Sequence, residues 1–159
     1  MKTNVISVEE LSRISEKLRS EGKRLVVTNG CFDLLHLGHV RYLEAARKLG
    51  DALAVGVNGD ASVCALKGEG RPLNNENDRA QVLAALRSVD YVTVFPEVRA
   101  MEFLARVRPA VYVKGGDYKP ETLNAEERAA LEKIGAEIRI IPFEPGYSTS
   151  SLIERMNRS

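Results

Sequence analysis

T-N-G-C-F-D-L-L-H-L-G-H, residues 28–39, is the stretch whose reading decides the fold. It stands between a short apolar run at 24–27 and a segment that opens near Gly38 and carries Val40, Leu43, Ala46 and Leu49 at helical spacing. The run reads as a strand, the segment as an amphipathic helix, and everything between them as a loop at the strand's carboxyl end. In open α/β sheets ligands bind at that end, and the N-terminus of the next helix offers N–H groups and partial positive charge to a phosphate. His36 and His39 are the only two histidines in the chain, and they fall where such an anion would lie. A glycine-rich turn or a capping histidine alone is common in α/β proteins. Gly30, Phe32-Asp33 and His36-x-Gly38-His39 in a single loop point to a site.

Outward from this loop, strands alternate with helices. Ser7 with Glu10 forms a capping-box pattern that opens a helix with Leu11, Ile14 and Leu18 inward, ended by Gly22. Gly50 closes the helix after the key loop, and 52–57 is a near-continuous apolar run, as expected of a strand covered on both faces. Asn58-Gly59-Asp60 follows it. Parallel neighbouring strands would set Asn58 and Asp60 beside the first loop; Asp60 as the N-cap of a short helix reaching Leu66 is an equally good reading. The segment 67–72, Lys-Gly-Glu-Gly-Arg-Pro, suits either a loop that closes over a substrate or a solvated connection.

A helix is expected over 75–88, with Asn74 available as its cap, Val82, Leu83, Leu86 and Val89 toward the core, and Arg79 off that apolar stripe as a solvated residue. Residues 91–95 form a third strand ended by Pro96, and Ala100, Phe103, Leu104 and Val107 are core positions of the helix after it. A fourth strand at 110–113 leads into Lys114-Gly115-Gly116-Asp117. Its glycines let a ligand approach the backbone, and its charges suit either ligand contacts or a turn with an ion pair. Asn124 and Glu127 suggest another capping box, Gly135 a helix end, and 137–141 a fifth strand. The hydroxyl cluster at 148–151 opens a last helix, either as ordinary caps or as a phosphate site. The fold class is therefore α/β, a five-stranded parallel sheet with helices on both faces, and the candidate chemical residues gather at strand carboxyl ends.

At 159 residues and 44% hydrophobic content, the chain suits one domain, 1–159, with 1–22 as an N-terminal helical extension. Its net charge of +1 gives no global field for nucleic acid, so any phosphate binding must come from local groups. No repeat, low-complexity segment, signal peptide or membrane anchor is legible, and a cytoplasmic location is expected. Cys31 and Cys64 lack the paired spacing of a zinc site and read as reduced thiols rather than nucleophiles.

These residues resemble the nucleotidyltransferases marked by an H-x-G-H motif, a family with a Rossmann-like fold that includes cytidylyltransferases and adenylyltransferases. The likeness runs from Arg24 to Met156. The key loop, V-N-G-D at 57–60, L-K-G-E-G-R-P at 66–72, V-K-G-G-D-Y at 113–118 and the terminal S-T-S are similar to its heptose 1-phosphate adenylyltransferase branch. That resemblance implies transfer of AMP from ATP to D-glycero-D-manno-heptose 1-phosphate, with Mg²⁺ carried on the ATP phosphates, no dedicated metal ligands, and no nucleic-acid or membrane partner. It also implies a homodimer, and a separate heptose kinase in the pathway, because many members carry that kinase in the same chain.

By the same resemblance His36, His39 and Lys67 would be catalytic: the histidines on phosphate oxygens, the lysine on the acceptor phosphate. Thr28, Asn29, Gly30, Cys31, Phe32, Lys114, Gly115, Gly116 and Asp117 would hold the nucleotide, with Ser148 and Thr149 on its β and γ phosphates. Asp33, Asn58, Asp60, Lys67 and Arg79 would serve the acceptor. Cytidylyltransferases of the family place Arg-Thr shortly before the terminal serine and threonine; residues 143–147 hold no basic residue, which counts against alcohol-phosphate substrates. Alternatives are a sister enzyme using another nucleotide or acceptor, such as glycerol 3-phosphate, FMN or phosphoethanolamine, or a nucleotide-binding regulatory module without catalysis.

Overall fold

The computed structural model describes residues 4–116, 124–142 and 145–158. Five strands, β1 (Leu25–Gly30), β2 (Ala52–Asn58), β3 (Tyr91–Phe95), β4 (Val111–Gly115) and β5 (Glu137–Ile141), form one parallel sheet in the order β3-β2-β1-β4-β5. Seven helices accompany them among the described residues: α1 (Val8–Ser20), α2 (Leu37–Arg47), α3 (Asp60–Lys67), α4 (Glu76–Ala84), α5 (Met101–Val107), α6 (Ala125–Lys133) and α7 (Thr149–Asn157). The architecture is the expected α/β Rossmann-like one. None of the described helices is long and apolar enough to cross a membrane.

The two-residue period of the strands divides the interior into two cores. Val26, Leu53, Val55, Val57, Val92, Val111 and Val113 pack against Tyr42, Leu43 and Ala46 of α2 and Ala80 and Leu83 of α4. Their alternates Leu25, Val27, Ala52, Ala54 and Tyr112 pack against α1, α5 and α6 through Val8, Leu11, Phe103, Leu104 and Leu131. Each fully buried aliphatic side chain contributes roughly 1.5–3 kcal/mol, so covering both faces is what holds the sheet. The chain leaves β1 toward β2 over one face and reaches β4 over the other. The crevice this reversal opens lies between the carboxyl ends of β1 and β4.

Several boundaries differ from the expectations, each for a local reason. Thr28, Asn29 and Gly30 end β1 rather than start the loop, because they continue the ladder opposite Val55, Gly56 and Val57. Gly59, not Asp60, is the N-cap of α3. Asn75, not Asn74, caps α4 by accepting from the Asp78 N–H; Asn74 is engaged by Asp33 instead. Helix α4 stops at Ala84, and Val82 is 53% exposed while Leu83 is buried. Ser15, not Ile14, is buried on α1, because its hydroxyl donates to the Arg108 carbonyl just past α5.

Candidate active site

A cavity of about 650 Å³ opens at the β1–β4 crevice. Asn29 and Gly30 of β1, Cys31, Phe32 and Asp33 of the following loop, and His36, His39 and Tyr42 around the start of α2 line it. Asn58, Lys67, Arg71, Lys114, Gly115, Tyr147, Ser148 and Thr149 also line it, with Leu66, Val98 and Ser150. Lys67, Arg71 and Lys114 bring positive charge, and among the described lining residues the carboxylate is Asp33. A chain of nearly zero net charge thus concentrates cations where two helices begin.

The loop is held in a shape the sequence alone does not announce. Phe32 has φ +47°, a left-handed conformation that is strained for an aromatic residue, and its ring is 9% exposed and packed in the core beside α2. It also meets the His39 ring edge-on at 5.5 Å. His36 is the N-cap residue of α2, and its backbone N–H donates to His39 Nδ1 at 3.3 Å. The centroids of the two imidazoles lie 3.9 Å apart, and the Tyr147 ring is stacked against His36 at a centroid distance of 6.1 Å. Between the histidines only glycine fits: a Cβ on Gly38 would come within 2.9 Å of the His36 ring and of Tyr147 Cβ.

Burial, and secondarily the neighbouring His36, pushes the His39 pKa from 6.5 down to about 4; burial also lowers that of His36. At neutral pH both rings are uncharged. Because His39 Nδ1 accepts the His36 N–H, the His39 proton resides on Nε2, so that nitrogen is a hydrogen-bond donor. Burial raises the Cys31 thiol pKa and outweighs the lowering by Lys67, Arg79 and Arg71, which disfavours the thiolate.

Asp33 lines the cavity and is also bonded within the protein. Its carboxylate accepts from the Leu73 N–H at 2.7 Å, the Asn74 N–H at 2.9 Å and Arg71 Nε at 3.0 Å. Burial raises its pKa, and these donors more than offset that, leaving it below the usual value. The segment carrying Lys67 and Arg71 is therefore tied to the histidine loop. Ser148 caps α7 by accepting from the Ser151 N–H, while the Thr149 hydroxyl donates to the Leu34 carbonyl and docks α7 against the same loop.

Arg79 is the main departure from the expected layout. Its position in the sequence suggests a surface residue near the acceptor; it is 2% exposed and does not line the large cavity. Nε donates to the Asn74 carbonyl, Nη1 to the carbonyls of Cys31 and Asn58, and Nη2 to Asp60 at 2.9 Å. Both Arg79 and Asp60 thus brace the site from behind. Thr28 also lies outside the lining, its hydroxyl 2.7 Å from that of Tyr42, and so does Gly116. Asp117 lies outside the described residues. Tyr42, Arg71 and Tyr147 join the lining without having been named as site residues; Tyr42 lies one turn beyond His39, and Arg71 falls in the 67–72 segment that reads as a loop able to close over a substrate.

Comparison with known proteins agrees with this geometry. The cytidylyltransferase-like family profile matches residues 27–155. The "Bifunctional protein HldE" of Nitratiruptor sp. is 51% identical over 148 residues, covering 93% of this chain and 31% of that protein. The protein of the same name from Aliarcobacter butzleri is 44% identical over 157 residues, covering 99% and 32% respectively. The chain spans about a third of the length of these curated relatives. A crystal structure of the lipopolysaccharide core biosynthesis protein from Thermoplasma volcanium GSS1 superposes with a TM-score of 0.63 at 31% identity, covering 77% of this chain and 98% of that one. With a parallel sheet open at β1 and β4, a neutral histidine pair at the start of α2 and a profile match from 27 to 155, the chain belongs to the cytidylyltransferase-like family and is a nucleotidyltransferase.

Proposed function

We propose that the protein transfers AMP from ATP to D-glycero-D-manno-heptose 1-phosphate, giving ADP-heptose and pyrophosphate in the supply of lipopolysaccharide precursors. The observation that carries nucleotidyl transfer is the convergence of two helix N-termini, at His36 and Ser148, on one cavity with three cations and a neutral histidine pair. A triphosphate and a second phosphate ester need such a pair of anion-binding ends. The choice of acceptor is supported by the identity with the HldE proteins and by the likeness to the Thermoplasma volcanium lipopolysaccharide core biosynthesis protein.

In this reading an oxygen of the sugar phosphate attacks the α-phosphorus in line, the new P–O bond forms, and the bond to the β-bridging oxygen breaks. A phosphate monoester dianion needs no general base, so catalysis reduces to positioning and charge stabilisation. His39 Nε2–H and the His36 ring donate to phosphate oxygens as charge moves toward the leaving group. Ser148 and the first turn of α7 hold the β and γ phosphates, and Lys67 meets the acceptor phosphate. Asn29, Gly30, Lys114 and Gly115 receive the nucleoside side, while Asn58 stands at the acceptor end. Mg²⁺ is taken as part of the nucleotide substrate; among the described residues no group of three or more His, Cys, Asp or Glu is gathered to hold an ion.

The test is pyrophosphate release with Mg²⁺ from ATP, CTP or GTP, each offered heptose 1-phosphate, glycerol 3-phosphate, phosphoethanolamine or FMN. Release with ATP and heptose 1-phosphate alone is expected. Release with another pair moves the protein to a sister activity, and ATP binding without release on any acceptor overturns the assignment.

A further inference from the structure

Behind the cavity, on the sheet face covered by α6, four polar side chains among the described residues are linked. Tyr112 pairs with Val27 across the β1–β4 ladder, so Asn29 and Lys114, each two residues further along its strand, leave the sheet on that same face. The Tyr112 hydroxyl lies 2.6 Å from Asn29 Oδ1 and 2.9 Å from Glu127 Oε1. The other Glu127 oxygen lies 3.5 Å from Lys114 Nζ. Asn29 and Lys114 line the cavity; Tyr112 and Glu127 do not.

The surroundings give this linkage a purpose beyond packing. Tyr112 is 1% exposed among Val27, Leu131 and other apolar side chains, where a phenylalanine would bury the same ring. The Glu127 side chain is 12% exposed, and withdrawing a carboxylate from water is costly unless it is fully engaged. Glu127 sits in the first turn of α6, whose start is fixed by Asn124 accepting the Glu126 and Glu127 N–H groups. The carboxylate is thus mounted on a capped helix beside Lys114, and it lies next to the Tyr112 hydroxyl, whose single proton is shared between the Asn29 and Glu127 oxygens.

We propose that Glu127 and Tyr112 are positioning residues for the nucleotide: the Tyr112 hydroxyl sets the Asn29 amide, and the Glu127 carboxylate sets the Lys114 ammonium, before ATP arrives. This rests on the nucleotidyltransferase reading of the cavity. Preorganisation of this kind lowers the cost of binding rather than the barrier of the chemical step, so it acts on affinity.

The experiment is calorimetric titration of the full chain with MgATP in the absence of acceptor, with steady-state kinetics alongside. Tyr112→Phe and Glu127→Gln, both close in shape to the originals, are expected to weaken ATP binding about tenfold. Turnover at saturating ATP is expected to change less than about threefold. The decisive readout is coupling: Tyr112→Phe has no further effect on affinity in an Asn29→Ala background, nor Glu127→Gln in a Lys114→Met background. Wild-type affinity in both single variants, or undiminished effects in those backgrounds, overturns the proposal while leaving the enzyme assignment intact. Failure of the wild-type protein to bind ATP overturns both.

Discussion

Arg71 Nε stands 3.0 Å from Asp33 Oδ2, joining the glycine-rich segment after α3 to the histidine loop after β1. The Asp33 side chain is 1% exposed and also takes the Leu73 and Asn74 N–H groups, so it organises the segment that follows Lys67. Replacing Asp33 by alanine leaves those donors without their acceptor. The expected result is faster protease cleavage within 67–74 and a stability loss of about 2–3 kcal/mol in urea unfolding. Unchanged cleavage and midpoint would show that the segment is held by other means.

In the proposed reaction His39→Ala removes a donor whose bond strengthens as charge develops on the phosphates. Turnover should fall by about 100-fold or more, while ATP affinity measured by titration changes only a few-fold. Equal losses in both would assign His39 to ground-state binding.

Acid should act on the fold through the same histidine. In the unfolded chain His39 takes up a proton below about 6.5, whereas in the folded protein it does so only near about 4. The unfolded state therefore gains protons first. Stability from this group is intact above pH 6.5 and declines as pH falls from 6.5 toward 4. Asp33, with its pKa below 3.8, adds a further loss only at lower pH. Melting temperatures between pH 7.5 and 4.5 should drop less steeply for His39→Gln than for the wild type; parallel curves would exclude His39 as the source.

Arg79→Met leaves the carbonyls of Cys31, Asn58 and Asn74 without their donor and Asp60 without its partner. A destabilisation of about 2–4 kcal/mol is expected from urea unfolding. Arg79→Lys should recover only part of it, because one ammonium cannot span that fork of acceptors. A midpoint within experimental error of the wild type would make the bracing role untenable.

Lys67→Ala tests the proposed contact with the acceptor phosphate. Lys67 ends α3 with an exposed side chain at the cavity wall, so its removal should raise the KM for the sugar phosphate about tenfold or more and leave ATP affinity within about twofold. A loss confined to ATP binding would move Lys67 to the nucleotide side.

Much of this was legible in the linear order of residues. Apolar runs of strand length separated by helical periodicities dictated a parallel sheet covered on both faces, since neither periodicity can bury its apolar residues alone. The spacing of His36 and His39 with Gly38 between them placed a histidine pair at a helix start, because three residues span about one turn of helix. Sequence order could not reveal that Arg79 turns inward. An arginine off an apolar stripe reads as solvated, and it becomes a buried brace only because β1, β2 and the segment before α4 bring three carbonyls and Asp60 to one point. In the same way nothing near Asp33 in the sequence announces that Arg71, Leu73 and Asn74 fold back onto its carboxylate. Periodicity and turn chemistry are local and are written in neighbouring residues. Which polar side chain meets substrate and which is consumed inside the protein depends on partners tens of residues away, and only the tertiary structure decides it.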